Sequence, residues 1–264
     1  MTWAQARRLR YSSIVLAVLI AIGGFVYYKV TDVVPTCFDG RKNGDELGVD
    51  CGGGCSLYCA NTFADPKVRW VRTFPVTPGL VHAIAYIEHG YPTAAAREAT
   101  YSFKLYDERN SLIIERTGVT YIGPMGKSAI VDTLIPIGAA TPARVQFAFT
   151  APMRWQKILS SFASLVIKTD RTSLEIEPKT TRAPATTRLA ATLENQSRYS
   201  FDTIDVIAIL YDVNGNALAV SKSILPELPA QQNTMVYFTW PYEVEGVSRI
   251  EILPRINPFD STLL

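Results

Sequence analysis

From Tyr11 to Tyr28 the chain reads YSSIVLAVLIAIGGFVYY, a run with no charge. At about 1.5 Å per residue a helix of this length rises roughly 27 Å, close to the hydrocarbon thickness of a bilayer. Arg7, Arg8 and Arg10 precede the run, whereas Tyr27, Tyr28 and a lone Lys29 end it. The positive-inside rule then keeps residues 1–10 in the cytoplasm and sends everything after Val30 outside. A cleaved signal peptide would share the basic start and the apolar run, but no A-x-A site follows, and the bulky Phe25, Val26, Tyr27 and Tyr28 stand where signal peptidase needs small residues. A soluble core helix would leave the arginine asymmetry without a cause. The expectation is an uncleaved transmembrane helix over residues 11–29, with about nine-tenths of the 264 residues on the outer side.

The outer part has room for two domains of about a hundred residues. Lys plus Arg number 26 against 24 Asp plus Glu, so no basic field gathers phosphates, and nucleic acid and nucleotides are excluded as partners. Thirteen Tyr, with 16 Gly and 16 Pro, favour strands divided by turns.

All four cysteines, Cys37, Cys51, Cys55 and Cys59, fall in CFDGRKNGDELGVDCGGGCSLYC, directly after the proposed span in a linker over residues 30–62. Outside the membrane thiols oxidise, and a segment this small and glycine-rich has no apolar core, so two disulfides are its expected staple. Four cysteines allow three pairings, and the sequence does not choose among them. A zinc site is the competing use, but the gaps of 13, 3 and 3 residues do not resemble paired CxxC knuckles. Asp39, Asn43, Glu46 and Asp50 lie in the same segment, interleaved with glycines. Hard oxygen ligands on a tight loop suit calcium; the same residues also cap turns through their own backbone. Both readings stand at this level.

After Asn61 the pattern changes to alternation in two-residue steps, as in Tyr101, Phe103, Leu105 and in Val206, Ala208, Leu210. A repeat runs through it. Val68–His89 lies over Leu174–Asn195 with an offset of 106, bringing Pro78 onto Pro184 and Glu88 onto Glu194. One residue of slippage later Leu105, Tyr106 and Asp107 fall on Leu210, Tyr211 and Asp212. Further on, VQFAF from Val145 is matched with VYFTW from Val236, and SLVIK from Ser164 with RIEIL from Arg249. Asp107-Glu-Arg-Asn110 and Asp212-Val-Asn-Gly215 supply turn residues at equal places. Six or seven short strands per copy, with Met153–Ser160 as the one candidate helical stretch, predict two tandem antiparallel immunoglobulin-like β-sandwiches over residues 63–172 and 173–264. Each strand is expected to bury one face.

Two resemblances add to this. The cysteine segment resembles an extracellular bacterial motif of the form C-x-D-G-x-x-N-x-x-E-x-G-V-D-C-G-G-x-C, matched from Cys37 through Asp39, Asn43, Glu46, Asp50 and Cys51 to Cys55. It implies a secreted or surface location and no reaction. The two repeats resemble FxLYD domains, immunoglobulin-like modules of bacterial and archaeal envelope proteins, through Phe103, Leu105, Tyr106 and Asp107. The second copy keeps Leu210, Tyr211 and Asp212 but has Ala208 in place of the phenylalanine.

Catalytic constellations are sparse. His82 and His89 stand seven apart on one expected strand, which points them to opposite faces. Gly123–Ser128 fails the phosphate-loop pattern because Tyr121 stands where it requires glycine, and it reads as a hairpin loop. Asn195-Gln-Ser197 is a glycosylation sequon. Trp70, Trp155 and Trp240 are expected in or beside the cores, and Met153–Leu159 is either a packed connection or an interaction surface. The expectation is a non-enzymatic, membrane-anchored structural or interaction protein of a bacterial envelope that binds another envelope protein. The alternative is a solute receptor or an enzyme with a site built from loops.

Overall fold

The computed structural model describes residues 3–31, 34–124, 126–158, 166–181 and 184–259. Met1, and Leu159 and Ser160 of the candidate helical stretch, lie outside them. The chain forms two compact units, residues 1–55 and 56–264. The first contains helix α1, Trp3–Thr31, uninterrupted because no proline falls within it. Its large apolar side chains are exposed, Leu16 at 59% and Ile20 at 66%, so they have no protein core of their own. Among the described residues it is the one helix long and apolar enough to cross a membrane.

The second unit is antiparallel β throughout. Its first half contains β1 (Lys67–Thr77), β2 (Leu80–His89), β3 (Ala94–Tyr106), β4 (Leu112–Ile122), β5 (Gly126–Pro136), β6 (Arg144–Phe149) and the short β7 (Trp155–Lys157). The second half contains β8 (Ile167–Glu177), β9 (Thr186–Asn195), β10 (Phe201–Tyr211), β11 (Ala217–Leu228), β12 (Asn233–Trp240) and β13 (Arg249–Arg255). Sheet β1-β2-β5 faces sheet β4-β3-β6, and sheet β8-β9-β12 faces sheet β11-β10-β13. The strand order is the same in both halves, so the repeat is a repeat of topology, two immunoglobulin-like sandwiches. Phe103, Leu105, Ile87 and Trp155 fill the first core; Leu189, Leu193, Phe201 and Trp240 fill the second.

The turn after each LYD sequence is the same structure twice. Asp107 accepts the amides of Arg109 and Ser111 on Oδ1 at 2.9 and 2.8 Å, and Asp212 accepts those of Asn214 and Asn216 at 2.9 and 2.7 Å. Each turn needs one left-handed residue, which Asn110 (φ 59°) supplies in the first copy and Gly215 (φ 79°) in the second.

Four sequence expectations change. The late strands match differently from the sequence alignment: β6 pairs with β3 as β13 pairs with β10, so VQFAF is the counterpart of RIEIL and not of VYFTW. The segment Met153–Ser160 is not a helix where it is described; Trp155–Lys157 extends β3 by pairing with Ala94–Ala96. Strand β8 pairs with β9 from Ile167 onward, six residues ahead of the boundary read at 173. The stretch from Ser56 is already part of the first sandwich, because Lys157 donates its amide to Ser56 O at 2.7 Å and Tyr58 donates to Trp155 O at 2.9 Å. Phe63 packs there against Tyr58, Tyr91 and Trp155, with centroids 4.7, 4.4 and 5.9 Å away.

The two sandwiches do not hang as separate beads. Strands β2 and β10 are buried on both faces: Ala83, Ala85 and Ile87 enter the first core while Ile84 and Tyr86 point the other way, and Val206, Ala208 and Leu210 enter the second core while Ile207, Ile209 and Tyr211 point the other way. These outward side chains meet one another, joined by Phe74, Ala129 and Val220. Sheet β1-β2-β5 therefore packs face to face on sheet β11-β10-β13, and the unit is a block four sheets deep.

Candidate functional site

Two places concentrate chemistry: the cysteine-rich segment and the seam between the sandwiches. In the first, Cys37 is bonded to Cys55, with Cα atoms 5.6 Å apart, and Cys51 and Cys59 are disulfide-bonded as well. No cysteine is free. The zinc alternative falls with this, since a disulfide sulfur is not a thiolate ligand. Alkylation of the unfolded, unreduced protein is expected to add no label; adducts on the cysteines would overturn the assignment.

The four oxygen-bearing residues of this segment serve its turns. Asp39 accepts the amides of Arg41 and Thr36 and the side-chain amide of Asn43 at 2.9, 3.3 and 2.8 Å. The Asn43 bond, followed by the backbone amides, holds the Asp39 carboxyl below the usual carboxylate range. Glu46 is buried at 9% exposure and accepts the amides of Asn43 and Asp50 on Oε2 at 3.4 and 3.1 Å. Asp50 accepts Gly40 N on both oxygens, at 3.1 and 3.0 Å, from a left-handed backbone (φ 54°). Gly53 is required where it stands, because a Cβ there would lie 1.8 Å from Asp45 O. Among the described residues the one group of three convergent potential metal ligands is Cys37, Glu46 and Cys55, two of which are the sulfurs of the disulfide. Calcium would compete with these amides for Asp39, Glu46 and Asp50, whereas the buried Asn43 Oδ1 has no hydrogen-bond partner among the described residues. Titration of the oxidised protein with calcium to about 10 mM, above the range of extracellular calcium modules, is expected to leave its melting midpoint unchanged; a saturable rise would restore calcium as the ligand.

The seam is polar at one point. Glu251 accepts the hydroxyls of Tyr86 and Tyr211, one on each carboxylate oxygen and both at 2.8 Å, so one side chain of the second sandwich ties tyrosines from both. Arg249 Nη1 lies 3.5 Å from Glu251 and its guanidinium 3.8 Å from the Tyr211 ring centroid. Burial, followed by the bond to Glu251, raises both tyrosine pKa values. At a second point Arg255, 8% exposed, donates to Thr120 Oγ1 at 2.8 Å and Tyr121 O at 3.0 Å, and Tyr121 OH donates to Arg255 O at 2.8 Å. Burial pushes the Tyr121 hydroxyl up to about 12, against the opposing pull of Arg255. Beside this contact lies a cleft of about 330 Å³ lined by His89, Tyr121, Lys127, Arg255 and their neighbours.

Both histidines are engaged structurally. His82 Nδ1 accepts the Leu134 amide at 3.1 Å, and His89 Nε2–H donates to Gly123 O at 2.6 Å. Burial lowers both pKa values. Asn195 of the sequon is fully buried, donating to Tyr199, Leu228 and Pro229 carbonyls, so the folded chain offers no glycosylation acceptor there. Gly123–Ser128 joins β4 to β5 in the opposite sheet and is a crossover, not a hairpin; its Met125 lies outside the described residues. Met153 and Trp155 are buried and pack the segment onto its own sandwich, whereas Arg154 and Lys157 are exposed. Trp240 is buried in the second core, whereas Trp70 stacks on Tyr86 at 5.3 Å in the seam.

No family profile matches the chain, and no curated protein matches it significantly. Among solved structures it is similar to a glycosyl hydrolase family 2 member from Bacteroides cellulosilyticus, at 10% identity over 68% of this chain and 25% of that one, with a TM-score of 0.26. It is also similar to Bacteroides uniformis beta-glucuronidase 2 (13% identity, 69% and 22% coverage, TM-score 0.23) and to the N-terminal CBM22-1-CBM22-2 tandem domain from Paenibacillus barcinonensis Xyn10C (6% identity, 76% and 89% coverage, TM-score 0.17). The chain spans about a quarter of the length of the first of these. The fold assignment rests on the strand pairing.

Proposed function

We propose that this chain is a single-pass, membrane-anchored protein of a bacterial cell envelope, with residues 1–10 in the cytoplasm and a non-catalytic block of two FxLYD-type sandwiches outside that binds another envelope protein. The observation that carries this reading is the oxidation of all four cysteines in the segment that follows the apolar helix. A disulfide-stapled segment suits an oxidising compartment, and Arg7, Arg8 and Arg10 suit the cytoplasmic end of the span. The shared LYD turns support the domain family. The fused sandwiches supply a stiff scaffold with two outer sheets for contact. The seam cleft is the feature that favours a solute receptor: Arg255 Nη2 bonds Thr120 and Tyr121, while Arg255 Nε and His89 Nδ1 have no hydrogen-bond partner among the described residues.

Protease added to intact spheroplasts is expected to remove a C-terminal epitope and spare an N-terminal one until the membrane is opened. Loss of the N-terminal epitope with the C-terminal one protected would reverse the orientation.

A further inference from the structure

The segment from Val34 to Cys55 is built inside out. Its buried positions are Glu46, Gly52 and Cys55, whereas its large apolar side chains face outward: Phe38 is 89% exposed, Val34 76%, Leu47 72% and Val49 56%. They have no means of turning inward. The Cys37–Cys55 disulfide fixes the residue beside Phe38, and Asp50 ties the amide of Gly40 to the turn in which Leu47 and Gly48 donate their amides to Cys51 O. The Phe38 turn and the Leu47–Val49 turn are thus locked as neighbours. A soluble module gains nothing by such an arrangement, since each large apolar side chain left in water forgoes its burial energy.

We propose that this segment rests on the membrane, with Phe38 and Leu47 in the headgroup layer of the leaflet through which α1 emerges. The inference rests on the anchoring reading above. Two observations select lipid as the occupant. Phe38 follows the last helical residue, Thr31, by seven positions, and a chain of that length reaches at most about 25 Å, so it stays near the interface that Tyr27, Tyr28 and Lys29 mark. Arg41 and Lys42 are exposed directly beyond Phe38 and match anionic headgroups, as basic residues do beside apolar ones in interfacial segments. The acidic side chains of the same stretch, Asp39, Glu46, Asp50 and the exposed Asp45, outnumber these two bases, so Phe38 and Leu47, and not net charge, carry the contact.

The test uses the full-length chain and its Phe38→Trp and Leu47→Trp variants in vesicles of phosphatidylcholine with a fraction of phosphatidylglycerol, and reads the tryptophan emission each variant adds. Acyl chains brominated close to the headgroup are expected to remove most of the added emission, those brominated near the chain end less of it, and aqueous iodide little. Added emission that iodide quenches and bromine does not would place the segment in water and overturn the inference; emission shielded from both would assign the surface to a protein or a second copy and overturn it too. An alkaline carbonate wash separates these results from failure of the anchoring itself. Protein that stays with the vesicles while bromine has no effect refutes only the lipid contact, and protein that washes off refutes both.

Discussion

Ile84→Ala is expected to lower the unfolding free energy by about 3 kcal/mol, the usual cost of truncating a fully buried isoleucine, although the position belongs to neither sandwich core. Ile84 has no exposed surface and sits in the seam with Tyr86, Ile207 and Ile209. For a unit of this size the melting midpoint should fall by roughly 6–12 °C. The matched control is Thr192→Ala, on the corresponding outward face of β9, which is expected to change stability by no more than about 0.5 kcal/mol. Equal, small effects at both positions would mean that the sandwiches are independent in solution.

Removing the carboxylate that joins the two tyrosines should cost about as much by another route. In Glu251→Ala the hydroxyls of Tyr86 and Tyr211, residues only 6% and 4% exposed, lose their acceptor. A buried donor left unpaired costs about 1–3 kcal/mol, so the variant should lose roughly 3 kcal/mol. Adding Tyr86→Phe and Tyr211→Phe to the same chain should recover part of that loss, because no hydroxyl then remains buried without a partner. Denaturant midpoints of the single, triple and unaltered chains measure the coupling; an additive result would show that water reaches the tyrosines and that Glu251 does not bind the halves together.

Both experiments concern the part of the fold that alternation conceals. A residue pattern of period two identifies a strand with one buried face, and it located the sheets and the LYD turns correctly. The same pattern makes half-buried strands interchangeable, so VQFAF aligns with VYFTW as readily as with RIEIL. The discriminating signal was the offset of 105 that already joined Tyr106 to Tyr211: carried forward, it sets Arg144 on Arg249. Those two arginines lie over the equivalent tyrosines in each copy, at 4.3 and 3.8 Å. The seam, too, left a trace. The runs AIAYI, from Ala83 to Ile87, and VIAIL, from Val206 to Leu210, are apolar at both parities, as strands covered on both faces must be. The polar ties across the seam were not legible, because Glu251, Arg255 and Tyr121 look like ordinary surface residues until the sheets meet. In the cysteine segment, residue types alone give calcium ligands and turn caps equal standing; the structure adds the amides that Asp39, Glu46 and Asp50 accept, and the calcium titration decides between the two.

The seam joins unlike surfaces. It sets the β1-β2-β5 face of the first copy against the β11-β10-β13 face of the second, so each end of the block still presents the partner of the other: β8-β9-β12 at one end, β4-β3-β6 at the opposite end. A heterologous join of this kind does not close on itself, and repeated between molecules it would run on as a filament. The end faces differ from the seam along their central strands. Where the seam has Ile84 and Tyr86, β9 has Ala190 and Thr192, between Arg188 and Glu194; where it has Ile207 and Ile209, β3 has Ser102 and Lys104, the latter paired with Glu115 at 3.4 Å. The central strands have thus diverged into an adhesive inner pair and more polar outer ones, while Met235 and Tyr237 at one end and Val119 at the other keep apolar side chains exposed to a neighbour.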